Sequence, residues 1–231
     1  VSENRDVTME AVKQGKMAIR KQQVGERYYL NTPAGQVPCD EFGAYLDTLG
    51  AAGFYQNGPD MGIKVCLEGT TPQSDRMLQE LKSVQARAFE EEMKRLRAGA
   101  LKKTAHIQWF HVANRFRPMG VKMIGVFCDA IKNTAHIDPG RYLAGFQIIP
   151  NEIPGFGPIP LNDVKISMRV SSRLEDEIRA QRAMPLNILL PEATNKLGGF
   201  SDACHSLTAA TTVAIGKEEQ LIEKMEKLLS E

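Results

Sequence analysis

An α/β fold is predicted for this chain, and three observations predict it. Short runs with strand character, 106–111 (HIQWFH), 141–149, 164–170 and 208–215, are interleaved with helical stretches instead of clustering together. The closing stretch 217–229 places Leu221, Ile222, Met225, Leu228 and Leu229 on one helical face, as a helix laid against a sheet requires. The strands are few, which reads as a small mixed β-sheet covered by helices, preceded by a smaller, mainly helical lobe.

In order along the chain, Met9, Val12, Met17 and Ile19 form a helical stripe from Thr8 to about Gln23, ending near Gly25. Arg27 to Leu30 is an aromatic strand, and Thr32-Pro33-Ala34-Gly35 is a turn returning it toward Gln36-Val37 as a hairpin. Asp40 is placed to cap a helix through Leu49, and Met61 to Leu67 reads as a further helix after the Asn57-Gly58-Pro59 breaker. Ser74 and Asp75 open the longest helix, which Met77, Leu81, Val84, Ala88, Met93 and Leu96 carry to Gly99. Beyond it the texture changes to the strands named above, with helices over 119–131, 172–181 and 186–196 and a Pro/Gly-rich loop over 150–160. The division expected is a lobe over 1–72, a bridging helix over 73–99 and an α/β domain over 100–231.

Composition narrows the class of partner. Lys plus Arg number 29 and Asp plus Glu 28, so any nucleic-acid contact has to come from a local patch, not from a field of the whole chain. Cys39, Cys66, Cys128 and Cys204 are far apart in the sequence and form no zinc-type spacing, which fits a reducing cytoplasm. No run approaches the ~20 apolar residues of a membrane span, and the first thirty residues have no signal-peptide core. Val1 is not an initiator methionine, and the expectation is a fragment of a longer chain.

Three segments carry candidate chemistry. Strand alternation in VKISMRV puts Lys165, Ser167 and Arg169 on one face and Val164, Ile166, Met168 and Val170 on the other, a row of donors suited to phosphate. The same pattern describes a half-exposed strand with a solvated polar face. Gly198 and Gly199, in a loop leading to His205, could let backbone approach a ligand with the imidazole beside it; a helix-terminating glycine pair is the plainer alternative. In HIQWFHVANRFRP, Trp109, Phe110 and Phe116 interleave with His106, His111, Arg115 and Arg117, which suits stacking and backbone contact in a single-stranded nucleic-acid groove, or else a buried strand running into a basic turn. With four histidines, none in a DHH or DxD context, the chain supplies no set of metal ligands for two-metal phosphoester chemistry. No P-loop and no GxSxG occurs.

Taken in order, the strand with Ser167 and Arg169, the stretch NILLPEATNKLGG, the turn ending in His205, the Ala-rich strand and GKEEQLIEKMEKLL resemble the DHH-associated domain of RecJ-type exonucleases and their archaeal relatives. The resemblance covers about residues 100 to 231, and FGAYLDTLGAAGFYQNGPDMGIKVCLEG is similar to the small inserted domain of the archaeal proteins. It implies a substrate-binding α/β domain and a single-stranded nucleic acid as ligand, with Arg169 holding a phosphate, Ser167 donating beside it and His205 facing the scissile region; Gly198, Gly199 and Arg115, from the glycine and aromatic segments, complete the candidate phosphate-binding residues. It also implies that catalysis and its manganese or magnesium belong to a DHH domain outside these residues, so that no catalytic or metal-binding residue is expected here. The degenerate branch of the family implies a different role, a replisome scaffold that binds replication proteins such as the GINS complex. One departure stands out: where the family carries a GGGH turn, this chain has Asp202-Ala203-Cys204-His205, and Asp202 should repel an anion unless it is paired or turned away.

Overall fold

The computed structural model describes residues 5–32 and 35–231. The chain divides into two compact units, Val1–Lys82 and Ser83–Glu231.

The first unit holds α1 (Arg5–Lys13), three strands β1 (Met17–Lys21), β2 (Glu26–Thr32) and β3 (Gly35–Pro38), then α2 (Cys39–Asp47) and α3 (Gly58–Glu68). The strands form one antiparallel sheet in the order β1-β2-β3. The hairpin over 27–37 is thus present, while Pro33 and Ala34 of its turn lie outside the described residues. The helix expected to reach Gln23 stops at Lys13 instead. Gly15, at a φ of 69°, ends it, and Met17–Lys21 pairs with β2 from Met17 opposite Leu30 to Lys21 opposite Glu26. Tertiary pairing with an aromatic strand here outweighs a loose helical stripe. Asp40 does not cap α2: Pro38 holds the N-cap position and Asp40 lies in the first turn, where its charge suits the helix dipole.

The division between the units falls inside α4 (Pro72–Arg95). Its start is a reciprocal pair, Thr71 N–H to Ser74 Oγ at 2.9 Å and Ser74 N–H to Thr71 Oγ1 at 3.1 Å, so the capping residue is Thr71, three positions before Ser74.

The second unit is built on a six-stranded sheet. Its strands are β4 (Lys102–Lys103), β5 (Ile107–His111), β6 (Tyr142–Ile148), β9 (Asp163–Arg169), β10 (Phe200–Cys204) and β11 (Thr208–Ala214), in the spatial order β10-β11-β9-β6-β5-β4. β5 and β6 are parallel, joined through α5 (Met123–Ile131), and every other pair is antiparallel. A two-stranded hairpin, β7 (Glu152–Ile153) and β8 (Gly157–Pro158), occupies the Pro/Gly-rich loop. This is the mixed sheet with covering helices that the sequence predicts.

The two sheet faces are packed differently. Ile107, Ala144, Phe146, Val164, Ile166, Met168, Ala209 and Val213 form one core with residues of α6 (Ser172–Arg179), α7 (Leu186–Asn195) and α8 (Glu218–Ser230). Each fully buried Leu, Ile or Phe there is worth roughly 1.5–3 kcal/mol of transfer free energy. The opposite face is covered over β6 and β9 by α5, with Phe89 of α4 packed at a tilt against Phe116 at 5.4 Å and Phe127 at 4.8 Å.

Candidate functional site

The polar face of β9 carries two of the predicted residues, Ser167 and Arg169, beside Lys165. Arg169 pairs with Thr208 of β11 and Leu143 of β6, Ser167 with Ala210 and Gly145, and Lys165 with Thr212 and Gln147. Directly opposite residues share a face, so Lys165, Ser167 and Arg169 point to one side, away from the core under α6, α7 and α8.

α5 reaches over this row. A Cβ on Gly125 would stand 2.9 Å from both Arg169 Nη2 and Ser167 Oγ, so the glycine sets how closely the helix approaches the two side chains. One turn later, Asp129 Oδ2 accepts from Arg169 Nε at 2.7 Å, and Asp129 Oδ1 accepts from Lys132 Nζ at 3.0 Å. The guanidinium also donates through Nη1 to Ser167 Oγ at 3.0 Å and to the Met168 carbonyl at 2.8 Å. Lys165 Nζ donates to Asp202 of β10. The side chains of Arg169 and Lys165 are 14% and 16% exposed, while Asp129 and Asp202 are 44% and 49% exposed. Two anchored cations are therefore held by carboxylates that face water. Asp202, which alone would repel an anion, is paired.

Cys128 sits in the same turn of α5, fully buried, and its thiol lies 3.7 Å from the Ser167 carbonyl. Burial pushes the thiol up to about 12, so it stays protonated and is no nucleophile.

His205 lies in the tight connection between β10 and β11. Its backbone N–H donates to the Thr208 carbonyl at 2.7 Å, and Thr208 is the direct partner of Arg169, so His205 and Arg169 are at the same end of the sheet. The imidazole is exposed.

The glycine pair is elsewhere. Gly198, at a φ of 70°, and Gly199 follow α7, where Gly199 N–H donates to the Thr194 carbonyl and satisfies the end of the helix. A Cβ on Gly199 would lie 2.5 Å from the Thr212 carbonyl and 2.6 Å from Thr194 Cγ2, so it is the packing of α7 on β11 that requires glycine. The five residues of β10 separate this pair from His205, about 16 Å for an extended strand. Arg115 is also apart from the group. Its Nε donates to Glu92 at 2.8 Å and its Nη2 lies on the His111 carbonyl at 2.5 Å; Glu92 is 2% exposed, and the guanidinium compensates that buried charge.

The aromatic segment is corrected by the structure. Trp109, Phe110 and Phe116 are 7%, 1% and 0% exposed and belong to the interior, so they offer no stacking groove. Their histidine neighbours are structural: His106 Nδ1 is 2.8 Å from Glu226, and His111 Nδ1 accepts from Ala113 N–H at 2.8 Å while its Nε2 faces Glu218 at 3.3 Å. Among the described residues no cluster of three or more His, Cys, Asp or Glu is disposed to hold a metal ion, and no helix is long and apolar enough to cross a membrane.

Sequence reasoning missed Asp129 and Gly125. Their signal was present: in an otherwise apolar helix a glycine and a carboxylate four residues apart lie on one face.

No protein-family model matches the sequence, and no curated protein matches it. Among solved structures, the chain is similar to the DHH domain of a member of a ribosomal-protein family (13% identity, TM-score 0.46, 80% of this chain and 41% of that one). It is also similar to CDC45 from Entamoeba histolytica (7%, 0.49, 90% and 41%) and to the pGpG-specific phosphodiesterase PggH from Vibrio cholerae (14%, 0.41, 80% and 57%). The chain thus spans between two fifths and just over half of the length of these three.

Proposed function

We propose that the β9 face is a phosphodiester-binding surface for single-stranded nucleic acid, and that the chain acts as the substrate-holding part of a RecJ-like phosphodiesterase whose metal chemistry resides in a DHH domain outside residues 1–231. One observation carries the reading: Arg169 and Lys165 are anchored on one strand face, on either side of Ser167, each held by a water-facing carboxylate that an anionic ligand can replace. Arg169 binds a phosphate oxygen through its guanidinium once Asp129 swings to Lys132 alone. Ser167 positions the guanidinium, and His205 at the same end of the sheet donates to the next phosphate or to a base. Gly198, Gly199 and Arg115 have structural roles and are not assigned to the ligand.

The test is fluorescence anisotropy of a short labelled single strand with the purified chain at low salt. Wild type binds, and Arg169→Ala, still folded by circular dichroism, binds about tenfold more weakly, the loss of one charge-assisted hydrogen bond. Absence of binding by wild type, or equal binding by the variant, removes this reading.

A second reading, a non-catalytic scaffold of the replication apparatus, is favoured by a separate feature. α3 exposes Ile63 (60%) and Leu67 (79%), and with Leu46, Gly50, Pro59 and Cys66 they line an apolar groove of about 310 Å³ in the first unit. On this reading a purified archaeal GINS complex binds the chain, and Leu67→Glu abolishes the interaction; equal binding by both proteins counts against it.

A further inference from the structure

The β1–β2–β3 sheet presents a second cationic surface of a different kind. The pairing of Arg20 with Arg27 and of Ala18 with Tyr29 puts Arg20, Arg27 and Tyr29 on one face, and the pairing of Asn31 with Gln36 continues it. The Arg20 guanidinium lies over the Tyr29 ring at 4.6 Å, and Arg27 lies 5.8 Å from the same ring. Arg20 Nη2 donates to Gln36 Oε1, Gln36 Nε2 donates to Asn31 Oδ1 at 2.8 Å, and Asn31 Nδ2 donates to the Gly15 carbonyl at 2.8 Å. A line of side-chain hydrogen bonds therefore holds the guanidinium over the tyrosine. Neither the ring nor the amide carries charge, so the positive charge of Arg20 is fixed in place without being neutralised by these partners. Arg27 serves as the counterexample on the same face: Glu41 at 2.6 Å and Asp40 at 3.1 Å take up its charge.

This combination selects a ligand. Arg20, Asn31 and Gln36 are exposed, and the residues paired with Tyr29 are Ala18 and Pro38, so among the described residues the face offers only small apolar groups to a hydrophobic partner. It has an arginine–tyrosine cation–π pair against which a nucleobase can stack, and a positive charge that pairs with no carboxylate among the described residues for the phosphate of that nucleotide. We infer that the Arg20–Tyr29 face of the first unit is a second binding surface for single-stranded nucleic acid, engaging a base by stacking and one backbone phosphate by charge. The inference depends on the geometry of this sheet and not on the β9 surface.

The experiment uses the full chain and a short single strand carrying one 5-iodouracil. Irradiation is expected to yield an adduct on the peptide containing Tyr29, lost in Tyr29→Leu. In anisotropy titrations Arg20→Ala is expected to bind about fivefold more weakly, with the salt slope of the affinity reduced by about 0.7, one phosphate contact to a single strand. Arg20→Lys keeps the charge, and so restores the slope while leaving the affinity below wild type. Arg20→Ala and Tyr29→Leu binding as wild type, with no adduct on that peptide, overturns the inference. Running Arg169→Ala alongside separates the two surfaces. Loss with Arg169→Ala alone retains the β9 reading and removes this one, loss with Arg20→Ala alone does the reverse, and loss with neither removes both.

Discussion

The two cationic faces of this protein differ in what holds their arginines. On the β9 strand of the second unit, Arg169 and Lys165 are each tied to a carboxylate, Asp129 and Asp202. On the β1–β2 hairpin of the first unit, Arg20 is tied to an amide and a ring. A carboxylate partner fixes a cation but competes with any anionic ligand; a neutral partner fixes it and leaves the charge available. Counting basic residues on a surface therefore says little until their partners are known, which a nearly balanced total of 29 and 28 charges already suggests.

Breaking the comparison at its strongest point gives the largest effect. Arg169→Ala should weaken binding of a short single strand about tenfold, as measured by anisotropy. Arg20→Ala should follow at about fivefold. The carboxylates give the opposite sign: Asp202→Asn frees Lys165 and removes a negative charge from the ligand's path, so affinity should rise about threefold at low salt and the gain should shrink as salt is added. A decrease or no change in the Asp202→Asn titration contradicts the competitor role.

How much of this was legible in the sequence depends on the range of the interaction. The β9 row was readable because a period of two is a local property, and both neighbouring strands keep the register it implies. Asp129 was not readable, because it lies 40 residues from Arg169 and meets it only when α5 folds over the sheet. β10 reads as a loop, since FSDAC is a half-exposed edge strand with an irregular register between Ser201 and Cys204, and such a strand lacks an apolar period. The aromatic run HIQWFH reads correctly as a strand, but its rings do not serve a ligand. β5 is half of a parallel pair covered on both faces, so those rings are interior. In the first unit the Arg20–Tyr29 stack is hidden by the loose helical stripe, which runs through Met17–Lys21 and as a helix would place Arg20 nowhere near Tyr29.

Away from both faces, two part-buried acid–base contacts give smaller effects on stability. Burial pushes the Glu226 carboxyl up, but hydrogen bonds from the Thr104 hydroxyl and from the ring and backbone of His106 outweigh it and hold the group below its usual value. A carboxylate lowered in the folded state stabilises above its unfolded pKa of about 4.5 and loses that contribution as pH falls through the lower folded value. Glu226→Gln should therefore cost about 1–2 kcal/mol in urea unfolding at neutral pH and less in acid. Burial lowers His111 despite Glu218 nearby, and Ala113 N–H occupies its Nδ1, so the folded protein favours the neutral ring. Its contribution is present above about pH 6.5 and falls as pH drops below that, a slope that His111→Gln should flatten.

The most direct test is the salt dependence of single-strand affinity for wild type, Arg169→Ala, Arg20→Ala and the double variant. If the β9 face grips a phosphate, Arg169→Ala lowers the slope of log affinity against log salt by about 0.7 and the double variant by about twice that. A slope for Arg169→Ala equal to that of wild type, with the fold intact, would contradict the account.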